Sequence, residues 1–448
     1  MPTPPPLTAP PRTTLAPGDR PSSARREVVT AAVVALVASL VAWFRLPATA
    51  RETMWAEDAR VFVQQRLERG TAGTLLLPYD GYLHTVPRLL ADLVVRTSSV
   101  DHLALAVTAA SCATAGLVAA AVWAHTDGVL RTVPARLLVA GLTVLVPLAP
   151  LEVSGNLANL HWYLLWLTPF VLLHRSRTRA GAALSTLVLV LVGLTEIQAL
   201  LFLPLLVVGR RPARDWLPGV GLAVACGVQV LVAATSDRAD PQAGPPSVVQ
   251  VVLGFVVEPV AGSWVPSSST AGHAFATAGW GLGLVLAAPF LVALVVGLRS
   301  PWRPHRVLVA TAASAAAVLW SVDVVVNPSE LVKFSFSEPG RIAEVGFARY
   351  AVVPSALLLC VVVVALEAVA TSSLRRRRAV VAAGTAVLAV GLLWHTAQPH
   401  VPRALGPGWS EGVERARAAC DDGATAQEVP GTPRGWATSI SCDVLSRP

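Results

Sequence analysis

Apolar runs long enough to cross a bilayer recur from Val28 to Thr396, separated by short polar or arginine-rich pieces. The pattern predicts an all-α membrane protein, a polytopic helical bundle of about 11 transmembrane helices (roughly 10–12), since each crossing takes about 20 mostly apolar residues. Only 14% of the residues are charged, against about a quarter in soluble domains, which excludes an ordinary soluble enzyme. The formal net charge is +8, and Lys333 is the only lysine. The arginines sit between apolar runs, where basic residues set orientation, so their excess does not point to nucleic acid. An arginine-rich, lysine-poor chain has the composition of a high-GC bacterial genome, which predicts a bacterial cell membrane.

Three regions follow. Residues 1–26 hold eight prolines with Arg12, Arg20, Arg25 and Arg26. They cannot bury enough apolar surface to fold and read as a disordered cytoplasmic tail. Residues 27–397 form the transmembrane domain, and residues 398–448 a short extracytoplasmic tail. The first four spans are Val28–Leu46, His102–Ala124, Leu137–Pro150 and Leu157–Leu173. Between the clusters Arg175–Arg179 and Arg210–Arg214 lie only about 30 residues, enough for two short helices at about 1.5 Å per residue. Thr195-Glu196 would be their turn, below the membrane surface. The last five spans are Trp216–Ala234, Trp280–Leu298, Val307–Val326, Tyr350–Thr371 and Ala379–Thr396. Val248–Val257 is too short to cross and reads as a re-entrant or interfacial segment. Under this count every short basic cluster falls on one side, the cytoplasmic one. The N-terminus is then cytoplasmic and the C-terminus extracytoplasmic.

Cys112, Cys226 and Cys360 fall inside apolar spans and read as small core residues. Cys420 and Cys442 lie in the outer tail, where a disulfide can persist. Their spacing fits no zinc pattern, and no histidine accompanies them.

Ionisable residues at membrane level are functional candidates because burying a charge there is costly. Those of this chain crowd the outer side. The first outer loop carries Trp55-Ala56-Glu57-Asp58, an amphipathic stretch from Ala59 to Arg69, and then Tyr79-Asp80-Gly81-Tyr82-Leu83-His84. Glu57 and Asp58 either cap the amphipathic helix or supply a general base, since a partly apolar cleft raises a carboxylate pKa.

A span, then an outer loop opening on an acidic pair such as Glu57-Asp58, then a Tyr/Gly/His/Pro/Arg-rich stretch resembles the GT-C superfamily of membrane glycosyltransferases. The resemblance covers the topology and this one loop. It implies a polyprenyl-phosphate-linked sugar donor, used on the extracytoplasmic side of the bilayer, and a cell-envelope glycan, lipid or protein as acceptor. It assigns the base that activates the acceptor to Asp58, with Glu57 as substitute or metal-facing partner. The outer tail is short, where the best-known members carry a large soluble domain.

A phosphate leaving group needs cations or a metal to absorb its charge, and arginine forks suit phosphate. Arg341 and Arg349, before the penultimate span, are the first choices, with Lys333 and Arg88 in reserve. No His/Asp/Glu cluster has metal-ligand spacing, so no metal residue is assigned, while a divalent metal stays compatible with the chemistry. Groups able to hold a sugar ring fall in three sets. Tyr79, Asp80, Tyr82 and His84 are in the first loop. Glu152, Asn156, Asn159, His161 and Trp162 are at the mouth of spans three and four. Glu196 and Gln198 are at the short turn. Glu258, Trp264 and His273 fall in the re-entrant loop. Trp162 and Trp264 read equally as an interfacial aromatic belt. The reading is sugar transfer with inversion. Its alternatives are a transporter or flippase of a lipid-linked glycan or small solute, with charges lining both halves of the bundle, and a polysaccharide polymerase or ligase, which has no need of Glu57-Asp58.

Overall fold

The computed structural model describes residues 20–208, 213–238, 243–265, 267–329, 338–347, 349–371, 375–394, 401–420 and 424–446. Among the described residues, seven helices are long and apolar enough to cross a membrane: Arg25–Phe44, Val100–His125, Val133–Glu152, Ala213–Thr235, Gly281–Leu298, Arg303–Val326 and Arg349–Ala370. Shorter apolar helices cover Leu160–Leu173, Arg179–Gly193, Ile197–Val207, Val248–Val260 and Val381–Leu393. By helix length and composition the chain is an all-α, multi-pass membrane protein.

In chain order the main helices are α1 (Arg20–Phe44), α2 (Gln64–Thr74), α3 (Thr85–Thr97), α4 (Leu103–His125), α5 (Val133–Leu145), α6 (Leu160–Leu173), α7 (Arg179–Gly193) and α8 (Leu217–Thr235). They continue as α9 (Val248–Phe255), α10 (Ser268–Ala278), α11 (Gly281–Leu298), α12 (Arg303–Val326), α13 (Val352–Ala370), α14 (Arg375–Trp394) and α15 (Trp409–Ala419). Helices apolar all round belong in the middle of a bundle. Accordingly α6 is buried from Leu160 to Leu172 and α13 from Val352 to Val361. Small residues let membrane helices approach closely. A Cβ at Gly116 of α4 would collide with the Ala35 carbonyl and Ser39 of α1.

Two ends of the bundle are distinguished by chemistry. At one, Asp127 after α4 accepts from Arg177 at 2.8 Å and lies 3.2 Å from His174. Glu367 of α13 accepts from the backbone N–H groups of Arg131 and Thr132 at 2.9 and 2.6 Å, and meets His305 of α12 at 2.8 Å. Glu27 of α1 pairs with Arg136 at 3.3 Å. The described basic clusters thus converge on one end. Thr132 and Thr178 cap α5 and α7 there by accepting from Ala135 and Gly181, the first-turn role their hydroxyls favour.

The short pair joins the two ends by different helical geometries. α7 has 15 residues and the segment Ile197–Val207 has 11. At about 1.5 Å per residue for α and about 2.0 Å for 3₁₀, both reach about 22 Å. The second helix is 3₁₀ over its whole length, stretching too few residues across the same thickness. The turn at Thr195-Glu196 falls where the sequence predicts it.

The tail packs on the opposite end. Thr432 lies alongside the first loop, donating to the Met54 carbonyl at 3.0 Å and accepting from Ala56 N–H at 2.5 Å. Trp409 of α15 is buried and donates from Nε1 to the Val100 carbonyl at 2.7 Å. Strands β1 (Ala426–Pro430) and β2 (Ala437–Ser441) pair antiparallel with Val429 opposite Thr438. A disulfide joins Cys420 and Cys442.

Three expectations are adjusted. Residues 20–26, read as part of the tail, are the first turns of α1; residues 1–19 lie outside the described residues. The stretch after Asp58 is not one regular amphipathic helix. It opens as a π-helical turn over Asp58–Val63, continues as α2, and kinks at Gly70, where φ is 70°. The short apolar segment that begins at Val248 is longer than the sequence indicates, because a second π-helical turn, Val256–Val260, extends α9.

Candidate functional site

A cavity of about 320 Å³ lies at the end opposite the basic clusters. One wall is the first loop, which contributes Glu57, Tyr79, Asp80, Tyr82 and His84. The start of α6 adds Asn159, His161 and Trp162, and the turn after α7 adds Glu196 and Gln198. Asp323 and Asn327 at the end of α12, Arg238 after α8, and Arg349-Tyr350 before α13 complete it.

Local sequence explains how these groups are held. Asp80 and Gly81 both take positive φ, 49° and 85°. That suits an Asp-Gly pair in a tight hairpin turn. The flanking Tyr79 and Tyr82 exchange backbone hydrogen bonds at 2.9 and 3.2 Å. The turn presents Asp80 to Arg238 at 3.9 Å. His84 then stacks on Tyr82 with ring centroids 4.1 Å apart and donates from Nε2 to the Tyr79 carbonyl at 3.3 Å. Burial pushes the His84 imidazole down to about 3, with His161 and Arg88 adding to the effect.

The short pair sets a carboxylate deep in this cavity. Glu196 caps the 3₁₀ helix by accepting from Gln198 N–H at 2.8 Å through Oε1. Its Oε2 is hydrogen-bonded to His161 Nδ1. Gln198 Nε2 donates to Asp323 Oδ1 at 2.6 Å. His161 also packs on Trp162, and Trp162 meets Tyr350 edge-on at 6.0 Å. Arg349 faces this group from the far side, donating to Glu152 Oε1 at 2.6 Å with 37% of its side chain exposed. Among the described residues, His84 Nδ1, Gln198 Oε1 and Asp323 Oδ2 have no hydrogen-bond partner.

The acidic pair is split between the cavity and the core. Glu57 lines the cavity. Asp58 does not: it is fully buried, and its two oxygens accept from the backbone N–H groups of Leu157 at 3.0 Å and Ala158 at 2.8 Å. That geometry places Asp58, expected as the base, outside the cavity lining. Its carboxyl ties the first loop to the segment entering α6. Burial pushes it up to about 7, against the opposing pull of Arg403 and the two N–H donors.

The other expectations sort as follows. Tyr79, Asp80, Tyr82, His84, Asn159 and Trp162 come together in the cavity, as do His161, Glu196, Gln198 and Arg349. Glu152 and Asn156 stand behind its wall. Asn156 accepts from Asn159 N–H at 2.9 Å, and Glu152 holds Arg349. Arg88 lies outside the cavity, bonded to Gln65 at 3.0 Å over the Phe62 ring; burial pushes its guanidinium down to about 10. Arg341 is elsewhere too, 3.3 Å from Glu344 on a half-exposed surface. Lys333 lies outside the described residues. Trp264 donates to the Leu286 carbonyl at 3.0 Å, Glu258 is buried, and His273 is exposed, all away from this cavity. Asp323, Asn327 and Arg238 were not foreseen. Asp323 is the single charge in the apolar run 307–326, and a lone charge in a span is itself a functional signal.

Among the described residues no three His, Cys, Asp or Glu side chains gather to hold a metal ion. No protein-family model matches the chain, and neither a curated protein nor a solved structure is detectably similar to it.

Proposed function

We propose that this protein is a membrane glycosyltransferase of GT-C type, moving a sugar from a polyprenyl-phosphate donor to an acceptor hydroxyl on the extracytoplasmic side. The observation that carries the reading is the pairing, in one cavity, of a loop carboxylate, Glu57, with a membrane-level arginine, Arg349. In this mechanism Glu57 takes the acceptor's proton as its oxygen bonds to the anomeric carbon. The bond from that carbon to the donor phosphate breaks, and the polyprenyl phosphate leaves with the electron pair. Arg349 meets the charge that develops on the departing phosphate. Unpartnered acceptors on His84, Gln198 and Asp323 suit the hydroxyl donors of a sugar ring.

The topology belongs to the same proposal. Eleven crossings, with the basic end cytoplasmic, put the cavity and the tail outside, in a bacterial cell membrane. A transporter would need a route between the ends. The middle of α6, Leu164 to Phe170, is buried throughout, which supports an enzyme open on one side.

The test is transfer from a polyprenyl-phosphate-linked hexose or pentose to a lipid or glycan acceptor by the purified chain. Turnover that is lost in Glu57→Gln, with donor binding kept, supports the reading. Binding of neither polyprenyl phosphate nor its sugar adduct removes it.

A further inference from the structure

A second cavity, of about 660 Å³, lies at the basic end. It is lined by Arg175, Arg177, Arg214 and Arg303, with Asp127 and Asp215 beside them. The apolar part of its lining is formed by Val129, Leu173, Val208, Trp302 and Val307. One carboxylate, Asp127, is already committed. Asp127 is bound by Arg177 at 2.8 Å and lies 3.2 Å from His174; Asp215 is buried beside Arg214 at 3.9 Å. Arg175 and Arg303 are exposed and make no hydrogen bond or ion pair among the described residues. One comes from the connection into α7 and the other from the first turn of α12, so the fold brings them together from distant parts of the chain. Trp302 is packed by the Arg131 guanidinium, 4.2 Å from the ring centroid.

Two uncommitted guanidiniums over an apolar cleft, at the membrane end of a helical bundle, match one kind of ligand: an amphiphile with an anionic phosphate head. Guanidinium forks bind phosphate oxygens, and basic pockets between membrane helices take anionic lipid head groups. A free anion would have no use for the apolar surface. We propose that this cleft binds the phosphodiester head of an anionic membrane lipid through Arg175 and Arg303, with the glycerol and upper chains against Trp302, Leu173 and Val307. The site is separate from the cavity that holds Glu57 and is independent of the function proposed for it.

The full chain, purified in detergent, would be titrated with dioleoyl phosphatidylglycerol, dioleoyl phosphatidylcholine and inorganic phosphate, and bound lipid counted by native mass spectrometry. Phosphatidylglycerol should be retained in preference to phosphatidylcholine, and phosphate at equal concentration should not displace it. Each guanidinium near an anionic surface contributes about 1 kcal/mol. Arg175→Gln and Arg303→Gln should therefore each weaken the preference about fivefold, and the double variant more. Arg299→Gln, an exposed arginine near the same end but outside the cleft, should leave it unchanged and controls for diffuse surface charge. Equal retention of the two lipids overturns the proposal, as does an equal loss in Arg299→Gln. Displacement by inorganic phosphate alone would make the cleft an ion site and would equally overturn it.

Discussion

Arg349 donates to Glu152 at 2.6 Å although 197 positions separate them in the chain. The pair joins the entrance of α13 to the short helix Ala149–Glu152, and it uses only one of the guanidinium's nitrogens. Arg349 also lines the cavity, its guanidinium 5.4 Å from the Tyr350 ring centroid. Under the proposed function, Arg349→Ala should weaken donor binding as well as rate, because a phosphate contact acts in both ground and transition states. Glu152→Gln removes a competing anion from a partly exposed pair, so it should tighten donor binding by up to about fivefold. Titration of both variants with polyprenyl phosphate checks the opposite signs.

Glu57→Gln and Asp58→Asn should fail in different ways. The first removes a base and should lower turnover by about 10²–10⁴-fold with melting unchanged. The second keeps size but sets an amide N–H₂ against one of two backbone donors, Leu157 or Ala158. An unsatisfied buried donor costs about 1–3 kcal/mol, so melting should drop. Equal turnover loss in Asp58→Asn at unchanged stability would return the base to Asp58.

Asp58 also sets a pH signature. Its carboxyl is pushed up to about 7 in the fold, from an ordinary value near 3.9. The folded state therefore holds the proton more tightly. The stability this provides is complete below about pH 4 and lost as pH rises to about 7. Chemical-denaturation midpoints for wild type and Asp58→Asn should differ less at pH 7 than at pH 4.5.

His84 works in the other direction. Its imidazole is pushed down to about 3, from about 6.5, so the fold favours the neutral ring. That contribution is complete above about pH 6.5 and lost as pH falls toward 3. At pH 5 the loss is about 2 kcal/mol, at about 1.4 kcal/mol per unit. His84→Phe, which preserves the stack on Tyr82, should flatten the acid side of the stability curve. An unchanged slope in that variant would place the titration elsewhere.

Much of this was legible in the sequence, for identifiable reasons. Long apolar runs locate helices whatever they pack against, and the scarcity of residues between Arg179 and Arg210 already required a short pair turning near Glu196. Residue spacing does not say which of two adjacent carboxylates faces a cavity. That was decided by a π-helical turn beginning at Asp58, which periodicity at 3.6 residues does not anticipate. Arg341 and Arg349 look alike in sequence, each beside a short helix in one loop. Only packing shows that Arg349 reaches the cavity while Arg341 sits by Glu344. Asp323 was overlooked because its run is otherwise apolar enough to pass as an ordinary span.

The disulfide makes a local prediction. Cys420 and Cys442 close a loop of 22 positions that contains β1 and β2. Closing a loop of that size is worth about 3 kcal/mol. Paired Cys→Ser substitution should expose the tail to proteolysis between 420 and 442 at temperatures where the helical bundle still resists. The native peptide should weigh two hydrogens less than its reduced form. Full-length resistance in the Ser variant would show that docking alone holds the tail.

Arg403 gives the sharpest link between tail and site. Its side chain is 2% exposed, yet it comes from the tail. Nε donates to the Thr53 carbonyl at 2.8 Å, and the other two nitrogens donate to the Gly155 carbonyl and Thr108 Oγ1. It thereby fixes the loop before Glu57 and the segment before Asn159 to α4 at one point. Its charge lies near Asp58, and burial pushes its guanidinium down to about 10. A lysine ammonium is a compact point charge and does not reproduce three donations in the fork's plane. Arg403→Lys leaves buried acceptors unpaired, at about 1–3 kcal/mol each in the worst case. It should lower melting and reduce turnover together, although Arg403 touches no part of the cavity. Stabilising the variant with bound donor lipid should recover melting before it recovers rate, because the loop carrying Glu57 is the part left unheld. A variant that melts lower with unchanged kcat would show that the Glu57 loop keeps its position without Arg403.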